Sequence, residues 1–416
     1  MNAELEQIGK KAAEVKYAAG LLTTEQKNEA LLKVADALVA HSDEIIAAND
    51  IDMKNGKEAN MKAGLLDRLL LTKERIEGIA EGLRQITELP DPIGILLESF
   101  ERPNGMHIEK ITVPMGVIGI IYESRPNVTA DAFGLCFKAG SAVILKGGSD
   151  AIHSNAAITD CIADALEEYG LDRNLIQLIR STDREVTREF MKMKEYVDLL
   201  IPRGGAGLIR ATVENSTIPV IETGTGNCHI FVDETADIEK ALPIIFNAKT
   251  QRVGVCNACE SLVVHENVRE KLLPALQKEL AKKQVELRAD EASIDFLEGA
   301  VPATEEDFGT EYLDYILSIK TVSNVQEAID HINRYHTGHS DCILTQNMEN
   351  AELFKKCVDS ACVYVNVSTR FTDGFEFGFG AEIGISTQKL HARGPMGLRE
   401  ICSYKYTIVG DGQVRG

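Results

Sequence analysis

Apolar residues recur at helical spacing through residues 2–89. Thr23-Thr24-Glu25-Gln26 has the form of a capping box and predicts an amphipathic helix from there to about Ala48. Another helix is predicted over 72–89, where Pro90 and Pro92 stop it. From about residue 108 the pattern changes. Short continuous apolar runs at 116–122, 142–145, 175–179, 197–201 and 218–221 alternate with helical stretches at 151–169, 183–194 and 207–215. Runs of this kind are buried strands, and their alternation with helices predicts a mostly parallel sheet. The alternation restarts after a glycine-rich turn at 224–227. Strands are expected at 229–232, 261–265, 285–288, 314–321, 342–344 and 362–367, and helices near 238–249, 268–283, 324–335 and 348–358. The fold class is α/β: two open lobes, each with a mostly parallel sheet. A polar, strand-like tail follows from Ser403.

Composition narrows the function. The chain has 416 residues, enough for two or three domains. A net charge of −20 makes it a poor partner for nucleic acid or an anionic membrane. An anionic substrate must therefore be held by local arginines or lysines. No apolar run approaches the length of a membrane span. Nine cysteines, an odd number scattered from Cys136 to Cys402, do not form a disulfide framework, so a reducing cytoplasm is the expected compartment.

Cys256 is the leading chemical candidate. It lies in Gln251-Arg252-Val253-Gly254-Val255-Cys256-Asn257, among small residues, between a predicted helix and a predicted strand. A cysteine so placed is either a thiolate nucleophile or a small buried hydrophobe. Cys259 adds a CxxC spacing, but no second pair completes a zinc site, so Cys259 is read as structural and no metal is expected. Two glycine turns follow strands of the first lobe: Lys146-Gly147-Gly148-Ser149, and Arg203-Gly204-Gly205-Ala206-Gly207. Either is a tight turn or a phosphate cradle, and a basic residue in each favours a nucleotide phosphate. Tyr122-Glu123-Ser124-Arg125-Pro126-Asn127 ends another strand. There Arg125 could hold a carboxylate or phosphate and Asn127 could donate to an oxyanion, or the loop could simply be polar. Glu222 ends the last strand of the first lobe, as a buried acid or a solvated carboxylate. Residues 368–384, rich in glycine and aromatics, form a binding loop or a domain connection.

Taken in order, these segments carry a resemblance. Residues 114–129, the Lys146 turn, 201–205, Glu222-Thr223-Gly224-Thr225-Gly226-Asn227-Cys228-His229, the Cys256 loop, Glu311-Tyr312-Leu313-Asp314, and 381–387 running into 391–398 together resemble the gamma-glutamyl phosphate reductases, a branch of the aldehyde dehydrogenase superfamily. The resemblance implies an aldehyde dehydrogenase-like fold. A cofactor-binding domain would span 1–225, with about 103–113 forming part of an oligomerisation flap. A catalytic domain would span 226–400, and an oligomerisation strand 401–416. It implies NADPH-dependent reduction of L-glutamyl 5-phosphate to L-glutamate 5-semialdehyde and phosphate, in proline biosynthesis.

By position in the motifs, Cys256 resembles the nucleophile, Lys146 the residue reaching the adenosine ribose, and Glu311 the carboxylate on the nicotinamide ribose. Ser124 takes the place of the oxyanion asparagine of hydrolytic relatives, three residues before Asn127. Ser124, Gly204, Gly205 and Glu222 are cofactor-side candidates, and Arg125, Arg252 and Arg370 are candidates for the anionic ends of the substrate. Glu222 lacks the Leu-Gly-Gly that follows the water-activating glutamate of hydrolytic enzymes. A homo-oligomer is expected, and glutamate 5-kinase, which supplies a labile acyl phosphate, is a partner the resemblance raises. The rivals are a hydrolytic NAD(P)-dependent dehydrogenase of a small aldehyde, and a non-catalytic binding protein that keeps the fold.

Overall fold

A computed structural model describes residues 2–415. The chain divides into two compact units: 1–223 with 378–384 and 396–416, and 224–377 with 385–395. The expected continuous block 226–400 is therefore cut, because the chain returns to the first unit at 378–384 and again from Met396.

The first unit is built on a four-stranded parallel sheet. Its order is Ile176–Leu178, Ala142–Lys146, Val117–Tyr122, Leu199–Arg203. Val117–Tyr122 and Ala142–Lys146 are buried at every position, as strands covered on both faces must be. The chain runs outward from Val117–Tyr122 on one side, then crosses to Leu199–Arg203 on the other. The crevice for a ligand in an open sheet forms at such a reversal, beyond the carboxyl ends of the strands. The loops 123–126 and 204–205 leave the sheet there.

Helices Ala3–Gly20, Asn127–Lys138 and Ile152–Tyr169 pack on this sheet, and Thr24–Ala40 and Lys73–Glu88 pack outside the last two as a second layer. The Thr23/Gln26 capping box is formed. The helix expected to reach Ala48 is two: the first ends at Ala40, His41 turns the chain, and Ser42–Glu58 restarts it. The run 218–221 is not a strand. Ser216 accepts from Ile218 N–H, and only Val220 bridges to Leu200. A separate antiparallel sheet joins Leu96–Glu101, His107–Pro114 and Cys402–Val409. Leu96, Phe100, Tyr404, Tyr406, Ile408 and Val409 are all exposed on it.

The second unit holds a seven-stranded parallel sheet ordered Val301–Pro302, Glu286–Ala289, Ile316–Val322, Cys259–His265, Cys228–Val232, Ser340–Leu344, Cys362–Val365. Its two central strands are buried throughout, with Ile230, Leu262 and Val264 in one core and Phe231 and Val263 in another. Helices Ile238–Thr250, Glu266–Leu280, Val325–Tyr335 and Met348–Cys357 flank it. Among the described residues, no helix is long and apolar enough to cross a membrane, and no disulfide joins any of the nine cysteines.

Candidate active site

The helix Ile238–Thr250 begins at Asp237, whose carboxylate accepts from Lys240 N–H, and ends where small residues and Gly254 take over. The chain then loops through Cys256 and enters the strand Cys259–His265. Cys256 thus sits at the amino end of a central strand, half-buried. Four hydrogen bonds hold it and the following Asn257. Cys228 donates its thiol to the Cys256 carbonyl at 3.2 Å. Asn257, buried, donates through Nδ2 to the Thr372 carbonyl at 2.8 Å and to that of Arg370 at 3.3 Å. Thr369 returns a bond to the Asn257 carbonyl at 2.8 Å.

These bonds tie the Cys256 loop to the loop that carries Arg370. Arg370 Nε donates to Gln251 at 2.8 Å, back to the start of the Cys256 loop. Burial and the neighbouring Arg252 charge push the Arg370 guanidinium below its ordinary value, while Cys256 and Asp373 pull it up. Arg252 and Cys256 therefore each lie within electrostatic reach of Arg370, with Arg252 exposed. Cys259, by contrast, is fully buried, and burial drives its thiol far above the usual range. The other half of the CxxC is inert.

Glu311 also belongs to the second unit. Its carboxylate accepts from Gly226 N–H at 2.7 Å, and burial holds it above its ordinary value. Lys249, Glu260 and Asn257, which no motif singled out, shape the same region. A lysine in the last turn of a helix and a glutamate opening a strand both read as solvated in sequence. Only the three-dimensional packing shows them buried.

The remaining candidates belong to the first unit. Lys146 closes its strand 5% exposed, and its Nζ donates to the Gly147 carbonyl at 3.0 Å. Burial lowers its affinity for a proton, and among the described residues no carboxylate pairs with it. Beside it, the buried Asn155 Nδ2 has no partner and would lie 2.2 Å from a Cβ at Gly147. An ammonium and an orphan amide at a strand end fit a hydroxyl-rich ribose. The residues present thus fit a nicotinamide dinucleotide.

The turn at Gly204 and Gly205 is different. Glu123 accepts from Gly205 N–H at 2.8 Å and fills the space beside Gly204. The helix Ala206–Asn215 is thus already capped by a carboxylate, and a phosphate there would have to displace it. Ser124 sits at φ 30°, a conformation few non-glycine residues adopt, and donates to the Asp150 carboxylate. Asn127 opens the helix Asn127–Lys138 and donates to Asp131 one turn on, at 2.9 Å. Its amide is engaged inside its own helix. Arg125 is exposed and Glu222 half-buried. Among the described residues, no group of three His, Cys, Asp or Glu is placed to hold a metal ion.

The model of the aldehyde dehydrogenase family matches residues 1–295 and 300–406. A gamma-glutamyl phosphate reductase of Lachnospira eligens is 57% identical over 411 residues, 99% of each chain. One from Caldanaerobacter subterraneus is 56% identical over 412 residues, 99% of this chain and all of its own. The chain belongs to the aldehyde dehydrogenase family, in its gamma-glutamyl phosphate reductase branch. The crystal structure of a gamma-glutamyl phosphate reductase from Thermotoga maritima superposes with a TM-score of 0.98 at 49% identity, over 99% of this chain and all of that one. An acetylating aldehyde dehydrogenase from Geobacillus thermoglucosidasius, 17% identical, covers 99% of this chain and 98% of its own with a TM-score of 0.69 and shares the fold.

Proposed function

We propose that this protein reduces L-glutamyl 5-phosphate to L-glutamate 5-semialdehyde and phosphate with NADPH, through a thioester on Cys256, as a step in proline biosynthesis. The observation that carries the reading is the gathering of Arg252, Arg370 and Cys256 in one loop system of the second unit. A guanidinium within electrostatic reach of a sulfur suits an acyl phosphate: positive charge favours a thiolate, and an arginine fork matches a phosphate.

The Cys256 thiolate attacks the acyl carbon, and the carbonyl electrons move onto oxygen. Backbone N–H groups of the loop stabilise that oxyanion. Asn127 is the side-chain candidate for it, with one of its two amide hydrogens given to Asp131. The oxyanion then collapses, the carbon–oxygen bond to phosphate breaks, and phosphate leaves with the bonding electrons to the arginines. A nicotinamide, when bound, would supply the hydride that reduces the thioester carbon. The resulting thiohemiacetal breaks its carbon–sulfur bond, which releases the aldehyde and restores the thiolate. Lys146 and Glu311 would hold the two riboses. NADP rather than NAD is part of the proposal.

The named relatives support this reading over a hydrolytic dehydrogenase. A cytoplasmic homo-oligomer, joined through the exposed antiparallel sheet and supplied by glutamate 5-kinase, completes the proposal. The test is NADP reduction with glutamate 5-semialdehyde as a function of phosphate. The reading expects absolute dependence on phosphate. Phosphate-independent formation of glutamate would favour the hydrolytic alternative.

A further inference from the structure

The loop that presents Cys256 is closed at its base by two charges. Lys249 lies in the last turn of the helix before it, and Glu260 is the second residue of the strand after it. Lys249 Nζ lies 2.5 Å from Glu260 Oε2, and both side chains are 0% exposed. The other carboxylate oxygen, Oε1, accepts from Leu313 N–H at 3.2 Å. Leu313 stands at φ 54°, a left-handed conformation that a leucine holds only when its surroundings enforce it. Two residues earlier is Glu311, which bonds Gly226 at 2.7 Å. One buried carboxylate thus joins three things: the end of the helix leading into the Cys256 loop, the strand leading out, and the arm that carries Glu311.

We propose that Lys249 and Glu260 are positioning residues, a buried ion pair that sets the geometry of the Cys256 loop and of the Glu311 arm together. The inference rests on the roles of Cys256 and Glu311 proposed above. Stability does not account for the pair. Removing two charges from water is costly, and apolar residues of similar volume usually serve a core as well or better. What a charge pair in a low-dielectric interior adds is a narrow preference in distance and direction. Neither side chain reaches solvent, so neither touches substrate or cofactor.

The test compares Lys249→Met/Glu260→Leu with wild type for melting temperature, kcat, KM for NADPH, nicotinamide affinity by fluorescence, and the pH profile of Cys256 alkylation by iodoacetamide. The expected double variant melts at or above wild type. Its kcat falls by about tenfold or more, because a misplacement of about 1 Å is enough to slow catalysis severely. Its nicotinamide affinity also drops and its alkylation profile shifts. Wild-type kcat and nicotinamide affinity in a folded double variant would overturn the proposal.

Glu260→Asp guards against failure to fold, because it keeps both charges but cannot span Lys249 and Leu313 at once. It should show the same kinetic and alkylation changes. Wild-type kinetics, or lost turnover with an unchanged alkylation profile and unchanged nicotinamide affinity, would also overturn it. Alkylation and nicotinamide binding need no turnover. Wild type lacking phosphate-dependent NADP reduction would therefore sink the functional reading and still leave the pair testable.

Discussion

Gly226 and Cys256 meet backbone to backbone: a Cβ built on Gly226 would lie 1.5 Å from the Cys256 carbonyl oxygen and 2.5 Å from its Cα. No side chain can be fitted there without moving the Cys256 backbone. Gly226 also gives its N–H to Glu311, so the same residue touches both proposed roles. Gly226→Ala should cost about 3 kcal/mol or more in urea unfolding, the upper end of overpacking. It should also abolish measurable turnover. Near-wild-type stability and activity would contradict this close approach.

The two guanidiniums near Cys256 should act on substrate more than on cofactor. Arg370→Ala and Arg252→Ala should each weaken acyl phosphate binding by about 1.5–3 kcal/mol, the range for a charge-assisted hydrogen bond. That appears as a roughly tenfold to hundredfold rise in the KM for glutamyl phosphate, with the KM for NADPH nearly unchanged. Lysine at either place should restore only part of the loss, since a point charge lacks the fork. Steady-state kinetics with each substrate varied in turn decides the matter.

Asp131 should make stability depend on pH. Burial raises its carboxyl to about 6 from an ordinary 3.8, against the pull of Asn127 and Arg203. Between these values the folded chain holds a proton that the unfolded chain has released. The favourable contribution is therefore fully present below about 3.8 and is lost as pH rises through about 6. Asp131→Asn keeps the acceptor for Asn127 and removes the charge. It should stabilise the protein at pH 8 by up to about 3 kcal/mol and show no such gain near pH 4. Urea unfolding at the two pH values measures this, and an equal effect at both would contradict it.

The antiparallel sheet should carry self-association. Its outer strands are long and expose Leu96, Phe100, Tyr406 and Ile408, the kind of edge that monomers usually blunt with charge. Ile408→Asp should shift the protein to a smaller species in light scattering after size exclusion, with its circular dichroism preserved. An unchanged mass would remove this sheet from the interface.

Much of this architecture is legible in the apolar runs. Val117–Tyr122 and residues 142–145 are buried at every position, so they read as near-continuous apolar runs and stand out from amphipathic helices. The break at His41 escapes because helical periodicity continues on both sides of it. The strand Leu96–Glu101 escapes because it is exposed throughout and has no buried face to impose alternation. At the site, Cys256 and Arg370 are visible as residue types in suggestive loops. Asn257 and Glu260 are not, because their importance lies in partners more than fifty residues away, at Thr372 and Leu313. The role expected of Gly204 and Gly205 meets a carboxylate from Glu123, a long-range cap that no local motif encodes.

The central claim is acylation of one sulfur, and mass spectrometry measures it most directly. The protein is mixed with glutamyl 5-phosphate in the absence of nicotinamide, quenched in acid, and the peptide containing Cys256 analysed. The account predicts one glutamyl group on Cys256, reversed by added phosphate and absent in Cys256→Ala, which also has no turnover. Turnover by Cys256→Ala, or a glutamyl group trapped on another residue, would contradict it.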